Sequence, residues 1–192
     1  MSPLILLTND DGIHSPGLSA AALALDPLGD LLIFAPLEQQ TSMGRSRTQQ
    51  CGGDGAINKT KLTAKNRPWE GFGVKATPAL AVEHAVMELA PRKISLVVSG
   101  INYGENVGSC VTGSGTIGAA REAAELGLST LAVSQEINSE NYHSHSTGVN
   151  FTRAVHFTRQ IAEKMLRVKL PLTMGSWFCR VGKKCCSMRA FT

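Results

Sequence analysis

Short apolar runs and amphipathic stretches alternate along the chain, and their order predicts a fold before any residue is given a role. Residues 4–8 are apolar without alternation, as expected of a strand buried on both faces. Residues 17–25 are rich in Ala and Leu and read as a helix stopped by Pro27 and Gly29. A second buried strand covers 31–35 and ends at Pro36. The stretch 37–68 is polar and holds Gly44, Gly52, Gly53 and Gly55, which predicts a long loop with room for short antiparallel strands; 69–74 is a candidate for one of them. Thr77-Pro78 begins a helix, with a hydroxyl residue at the N-cap and proline at the first helical position, running to Leu89 before Pro91. Residues 94–99 form a β-branched strand, 115–126 a helix closed by Gly127, 131–134 a further strand, and 136–147 a polar loop. Phe151, Val155, Thr158, Ala162 and Met165 share one face of a last helix over 148–168.

Strand and helix alternating in this way predict a doubly wound α/β fold: a mostly parallel sheet flanked by helices, Rossmann-like in plan. Such sheets bind ligands at the carboxyl ends of their strands, so the loops after Thr8, Ala35, Ser99 and Ser134 hold the candidate chemistry. The chain has 192 residues, 43% hydrophobic and 18% charged, which suits one globular domain. No apolar stretch approaches the roughly 20 residues that cross a bilayer. No basic residue precedes the opening apolar run, so no secretory signal is read and a cytoplasmic protein is expected. Of nineteen basic residues, Arg180, Lys183, Lys184 and Arg189 fall in 175–192, where no acidic residue occurs. The remaining fifteen match the fifteen acidic residues, and a neutral body gives no electrostatic case for nucleic acid as a partner. Cys179, Cys185 and Cys186 share that segment, with Cys51 and Cys110 elsewhere; this is no disulfide framework, and half of a zinc site lacks its other half.

After the first strand stands Asn9-Asp10-Asp11-Gly12. Two adjacent carboxylates at a strand end repel unless a cation or donors neutralise them, and such oxygen ligands suit Mg²⁺, Mn²⁺ or Ca²⁺. The plainer alternative is that one Asp caps the next helix and the other faces water. After the second strand the loop 36–47 offers the hydroxyls of Thr41, Ser42 and Ser46, and after the third Asn102 offers a neutral oxygen. Residues 113–116 open a helix, whose free N–H groups welcome a phosphate. The same stretch, Gly113-Ser114-Gly115-Thr116-Ile117-Gly118, is a literal G-x-G-x-x-G, and Glu136 follows at a distance that resembles a dinucleotide fingerprint. That fingerprint should follow its strand directly, whereas here about a dozen residues intervene, and it leaves Asp10-Asp11 unexplained.

Taken together, Leu7-Thr8-Asn9-Asp10-Asp11-Gly12, Ala35-Pro36 with Ser42, Thr77-Pro78-Ala79, Ser99-Gly100-Ile101-Asn102 with Gly104 and Asn106, and Ser114-Gly115-Thr116 leading into Gly118-Ala119-Ala120 resemble the SurE family of metal-dependent nucleotide phosphatases, in the same order. The resemblance implies one divalent ion, Mg²⁺ or Mn²⁺, on Asp10, Asp11, Ser42 and Asn102. It implies a substrate phosphate near Asn9, Asn106, Ser114, Gly115 and Thr116, and hydrolysis of nucleoside 5′- and 3′-monophosphates, with short polyphosphate as a further substrate in some members. A cation there would neutralise phosphate oxygens and lower the pKa of bound water, while fixed N–H donors hold the transition-state charge. The expected attack is by that water, with Asp10 or Asp11 positioning it or taking its proton; an aspartyl-phosphate stays open as an alternative. A homo-oligomer is also implied.

The end of the chain departs from that pattern. Family members continue past the last helix into a core strand and a hairpin arm, whereas the basic, Cys-rich segment 173–192 matches neither. The expected organisation is a domain over 1–172 and an atypical tail, truncated or from an altered reading frame, with a bare sheet edge and doubtful oligomerisation. Translating the other two frames past codon 172 tests this, since neither restoring strand patterning would refute it. Besides the phosphatase, two readings stand: a non-catalytic nucleotide- or metal-binding remnant, and an oxidoreductase using 113–118. His143 and His145 are expected in a solvated loop, His14 at a helix entry, Trp69 and Phe72 in the core, and the sequon Asn58-Lys59-Thr60 without use.

Overall fold

The structure, a computed structural model, describes residues 2–47, 56–138, 141, 148–168, 176–182 and 186–190. Strand β1 (Leu4–Thr8) is buried throughout, and its alternate side chains serve opposite layers: Ile5 and Leu7 join one hydrophobic cluster, Leu4 and Leu6 another. That two-sided burial explains the absence of polar alternation. Helix α1 (Pro16–Leu25) begins one residue before the expected start, capped by the Ser15 hydroxyl, which accepts from the Leu18 N–H at 3.2 Å. Strand β2 (Asp30–Pro36) then lies parallel to β1.

The polar stretch that follows holds antiparallel strands of the kind for which the sequence left room, longer than expected. With 69–74 it forms an antiparallel hairpin, β3 (Ile57–Ala64) and β4 (Arg67–Val74). Lys65 and Asn66 turn it with φ of +48° and +63°, the two-residue geometry that matches the twist of paired strands. No glycine marks this turn, so the sequence pattern conceals it. Trp69 and Phe72 are half-buried: the Trp69 indole donates to Asp26 Oδ1 at 2.8 Å, and Phe72 packs on Phe34 with ring centres 6.3 Å apart.

Helix α2 (Pro78–His84) continues as a π-helical turn, Ala85–Leu89. Thr77 is its N-cap residue, yet the hydroxyl does not cap; it donates to the Ser46 carbonyl at 2.5 Å and ties the loop after β2 to this helix. Strand β5 (Ile94–Tyr103) runs past the expected end at Ser99, with a cis Gly100–Ile101 peptide and a register shift between Ser99 and Asn102. A short α3 (Cys110–Gly113), then α4 (Gly115–Glu125), β6 (Thr130–Gln135) and α5 (Thr152–Arg167) follow. Ala162, Thr158 and Met165 are buried on the expected face of α5, and Phe151 at its start.

Among the described residues the sheet has eight strands in the order β3-β4-β2-β1-β5-β6-β7-β8, with the six inner strands parallel and the two edge strands antiparallel. Helices α1 and α5 pack on one face, α2 and α4 on the other. The doubly wound architecture is therefore as expected. The bare edge is not. Residues β7 (Ser176–Val181) pair in parallel with β6, and β8 (Cys186–Ala190) turns back antiparallel on β7. Phe178, Cys179 and Val181 are at most 9% exposed, so a short apolar run inside the basic segment drives the pairing. His143 and His145 lie outside the described residues. Among the described residues no helix is long and apolar enough to cross a membrane.

Candidate active site

Strand β1 lies between β2 and β5, because the chain builds one side of the sheet first and then crosses to the other. The carboxyl ends of β1 and β5 therefore border the point where strand order reverses, the place such sheets hold ligands. A cleft of about 430 Å³ opens there, lined by Asp10, Asp11, Ser42, Asn102, Asn106 and Ser114 among others. The structure thus brings all four expected cation ligands to one cavity, from three separate loops.

Asp10 and Asp11 are 5% and 3% exposed, and neither makes an ion pair with a described residue. Asp10 Oδ1 accepts from the Thr116 hydroxyl at 2.5 Å, and the N–H groups of Thr116 and Gly115 also favour its charge. Burial outweighs these donors and holds the Asp10 carboxyl above the ordinary range. Asp11 accepts from Gln39 Nε2 and from the Tyr103 N–H, each at 3.3 Å. Burial first, and the neighbouring Asp10 charge second, push it up to about 8. Two desolvated like charges side by side are costly, and a hard cation is the group that reverses that cost. Among the described residues no group of three His, Cys, Asp or Glu side chains is placed to hold a metal ion, and Ser42 and Asn102 add neutral oxygens to the two carboxylates of the cleft. Two carboxylates, a hydroxyl and an amide oxygen suit Mg²⁺ or Mn²⁺ better than a softer metal.

Asn102 donates its amide nitrogen to the carbonyls of Gly104 and Tyr103, at 2.8 and 3.2 Å, which leaves its oxygen as the end for the cleft. Ser42 has φ +62°, a left-handed backbone rarely adopted without glycine, and the loop around it is over-determined. Gly44 N–H donates to Gly113 O at 2.9 Å, and Thr77 holds Ser46. Arg45 and Arg47 both reach Glu122 of α4, a side chain with no exposure, at 2.7 and 2.6 Å. Arg45 also pairs with Glu125 and Arg47 with Glu83.

A family model described as Survival protein SurE matches residues 5–185. The chain belongs to the SurE family. It is 39% identical over 170 residues to 5′-nucleotidase SurE of Methanothermobacter thermautotrophicus, covering 87% of this chain and 63% of that protein. It is 39% identical over 171 residues to 5′-nucleotidase SurE of Thermococcus gammatolerans, covering 87% and 60%. The crystal structure of SurE protein from Aquifex aeolicus superimposes with a TM-score of 0.72 at 29% identity, covering 94% of this chain and 66% of that one. The chain spans about three-fifths of the length of the curated relatives it matches.

Within this SurE fold the five expected phosphate residues fall into two groups. Asn106 and Ser114 line the cleft. Asn9, Gly115 and Thr116 sit behind it. Asn9 is fully buried, and its amide donates to Gly12 O and Ser15 Oγ at 3.0 and 3.1 Å, bracing the entry to α1. Gly115 is where α4 meets Asp10: a Cβ there would lie 2.7 Å from Asp10 Cβ. Gly118 likewise abuts Gly44, whose oxygen would be 1.9 Å from an added Cβ. Gly115 and Gly118 of the G-x-G-x-x-G run are thus occupied by close packing onto the carboxylate and its neighbouring loop, which accounts for these two without a dinucleotide, whereas a Cβ added at Gly113 would meet nothing within 4 Å. His14 is exposed and does not line the cleft. Sequence reasoning missed Gln39 and the Tyr103 N–H as partners of Asp11; the position of Gln39, just past the end of β2, was the available signal.

Proposed function

We propose that this chain carries the core of a divalent-metal-dependent phosphomonoesterase that hydrolyses nucleoside 5′-monophosphates, with 3′-monophosphates as a second class, to nucleoside and phosphate. The observation that supports it most is the buried Asp10-Asp11 couple, without an ion pair among the described residues, opening on a cleft with neutral oxygen donors at the switch point of the sheet. The relatives named 5′-nucleotidase supply the substrate class.

Asp10, Asp11, Ser42 and Asn102 would hold the ion, whose chemistry is that of a Lewis acid: neutralising phosphate oxygens and acidifying water. The rest falls to this chain's own groups. The Ser114 hydroxyl accepts from the Ile117 N–H, which frees its proton for a phosphate oxygen. Asn106 gives one amide hydrogen to Ser134 Oγ at 2.8 Å and keeps the second for the substrate. Asp10 or Asp11 orients the attacking water and takes its proton as the new P–O bond forms and the ester bond to the nucleoside breaks, the departing nucleoside oxygen taking a proton from solvent. Thr116, Asn9 and Gly115 act through the groups they brace. Measuring phosphate release from a nucleotide panel with Mn²⁺, Mg²⁺ or chelator, beside Asp10→Asn, tests the reading. Release should need the cation and fall at least a thousandfold in the variant; release that chelator leaves untouched contradicts it.

A further inference from the structure

The last two strands, far from the phosphate cleft, carry two thiols that the fold brings into contact. Strand β7 turns alternate residues to opposite faces of the sheet. Trp177, Cys179 and Val181 face the cluster under α1 and α5, while Phe178 packs with Ile117 and Ala120 of α4. Strand β8 returns antiparallel with Cys186 directly opposite Val181, so the register puts Cys186 on the same face as Cys179, as its diagonal neighbour. Diagonal neighbours stand further apart than directly opposed ones, yet the two sulfurs meet at 3.0 Å. Both cysteines are free thiols.

The two thiols differ in the way a redox couple needs. Cys179 has no exposure, and burial first, then its contact with Cys186, push its thiol up and keep it protonated. Cys186 is half-buried and opens β8, so a reagent in solution can reach it. No acidic residue occurs in 175–192 to repel a thiolate there. An accessible sulfur with a protonated thiol held against it is an attacking group beside a resolving one.

A bond between them would fasten the outermost strand. Among the described residues β8 pairs with β7 alone, and β7 in turn covers the edge of β6. If β8 peels away, β7 becomes an open edge with unpaired backbone groups. Six residues separate the two cysteines, and closing that loop covalently removes freedom from the unfolded chain.

We propose that Cys179 and Cys186 are a redox-active dithiol, oxidised by small disulfides of the glutathione class to a bond that fastens β8 to β7. Cys186 gives its proton to solvent, and its sulfur attacks the reagent. The reagent's S–S bond breaks, a mixed disulfide forms, and one glutathione thiolate leaves and takes a proton from solvent. The Cys179 sulfur then attacks the Cys186 sulfur, and the second glutathione leaves with the Cys179 proton. Two glutathiones are released for each protein disulfide, and a thiol reductant reverses the exchange.

The test uses the full chain as Cys185→Ser, because Cys185 adjoins Cys186 and falls in the same tryptic peptide. After incubation with oxidised glutathione and alkylation of the remaining thiols, mass spectrometry should find peptide 170–180 joined to peptide 185–189. With Cys179→Ser added, the second peptide should instead carry one glutathione, since no resolving thiol is left. The thermal midpoint of the cross-linked chain should lie about 5 °C above that of the reduced chain. Dithiothreitol should cancel that rise, and Cys186→Ser should not show it. A chain that stays reduced, glutathione left on Cys186 while Cys179 is present, or Cys179 joined to Cys51 or Cys110 overturns the pairing. A cross-link that leaves the midpoint unchanged overturns the fastening of β8.

Discussion

At the scale of single residues, Asp10 and Asp11 set the terms. The Asp11 carboxylate is held away from water beside a second carboxylate, supported among the described residues by two long hydrogen bonds. Asp11→Asn keeps the shape, and Gln39 can turn its amide to suit the new donor. Above pH 8, where the Asp11 carboxyl is ionised, the substitution should therefore raise the thermal midpoint of the cation-free protein, by roughly 2–4 °C for each kcal/mol of repulsion and desolvation relieved, and the gain should fade as pH drops and the native carboxyl takes up its proton. It should also abolish the rise that Mn²⁺ gives the native chain, since stabilisation by a ligand follows from binding the folded state alone. Differential scanning calorimetry with and without Mn²⁺ reads both effects; a cation-free variant less stable than the native chain contradicts the argument. The two carboxylates were legible in the sequence because a strand end names the place and an adjacent acidic pair names the chemistry. The Thr116 bond to Asp10 was not, because it joins residues 106 positions apart. No local pattern distinguishes a threonine that meets a phosphate from one that braces a ligand.

Among the elements, the loop from β2 to β3 matters most. Its described part, through Arg47, is fastened to α4 and α2 by Arg45, Arg47 and the Ser46 carbonyl, and it delivers Ser42 in a left-handed backbone that a free loop would not keep. Glu122 is the shared anchor. Glu122→Gln leaves two guanidinium groups without their buried charge, although both are partly exposed. The expected cost is about 1–3 kcal/mol in urea unfolding, together with a roughly tenfold weaker Mn²⁺ affinity because a ligand loop loses its support. Unchanged affinity beside lowered stability would show that Glu122 serves the fold alone. The helices and inner strands were readable to within a few residues because their apolar patterns are strong. The β3–β4 hairpin was legible only as room for short antiparallel strands, with 69–74 as one candidate; its bounds were not, since its turn is Lys65-Asn66 and its strands are mostly exposed, with glycines at 71 and 73 in place of packing side chains.

For the whole molecule, the sheet extends to β7 and β8, against the sequence expectation of a tail foreign to the domain. Composition misled there: lysines, arginines and cysteines concealed a short run, Trp177-Phe178-Cys179, whose burial against β6 follows from ordinary strand pairing. Removing residues 176–192 should bare the edge of β6, and a row of unpaired backbone groups invites association between chains. Size-exclusion chromatography should then show concentration-dependent aggregates, whereas a monodisperse product would mean that the edge is covered in another way. The parallel order of the inner strands is also what carries three distant loops to one rim, and on that convergence the proposed activity depends. Its most direct test is a crystal grown with Mn²⁺ and measured for anomalous scattering. The account predicts one strong peak in the cleft, within ligand distance of oxygens from Asp10, Asp11, Ser42 and Asn102. A peak elsewhere, with the two aspartates left unligated, would contradict it.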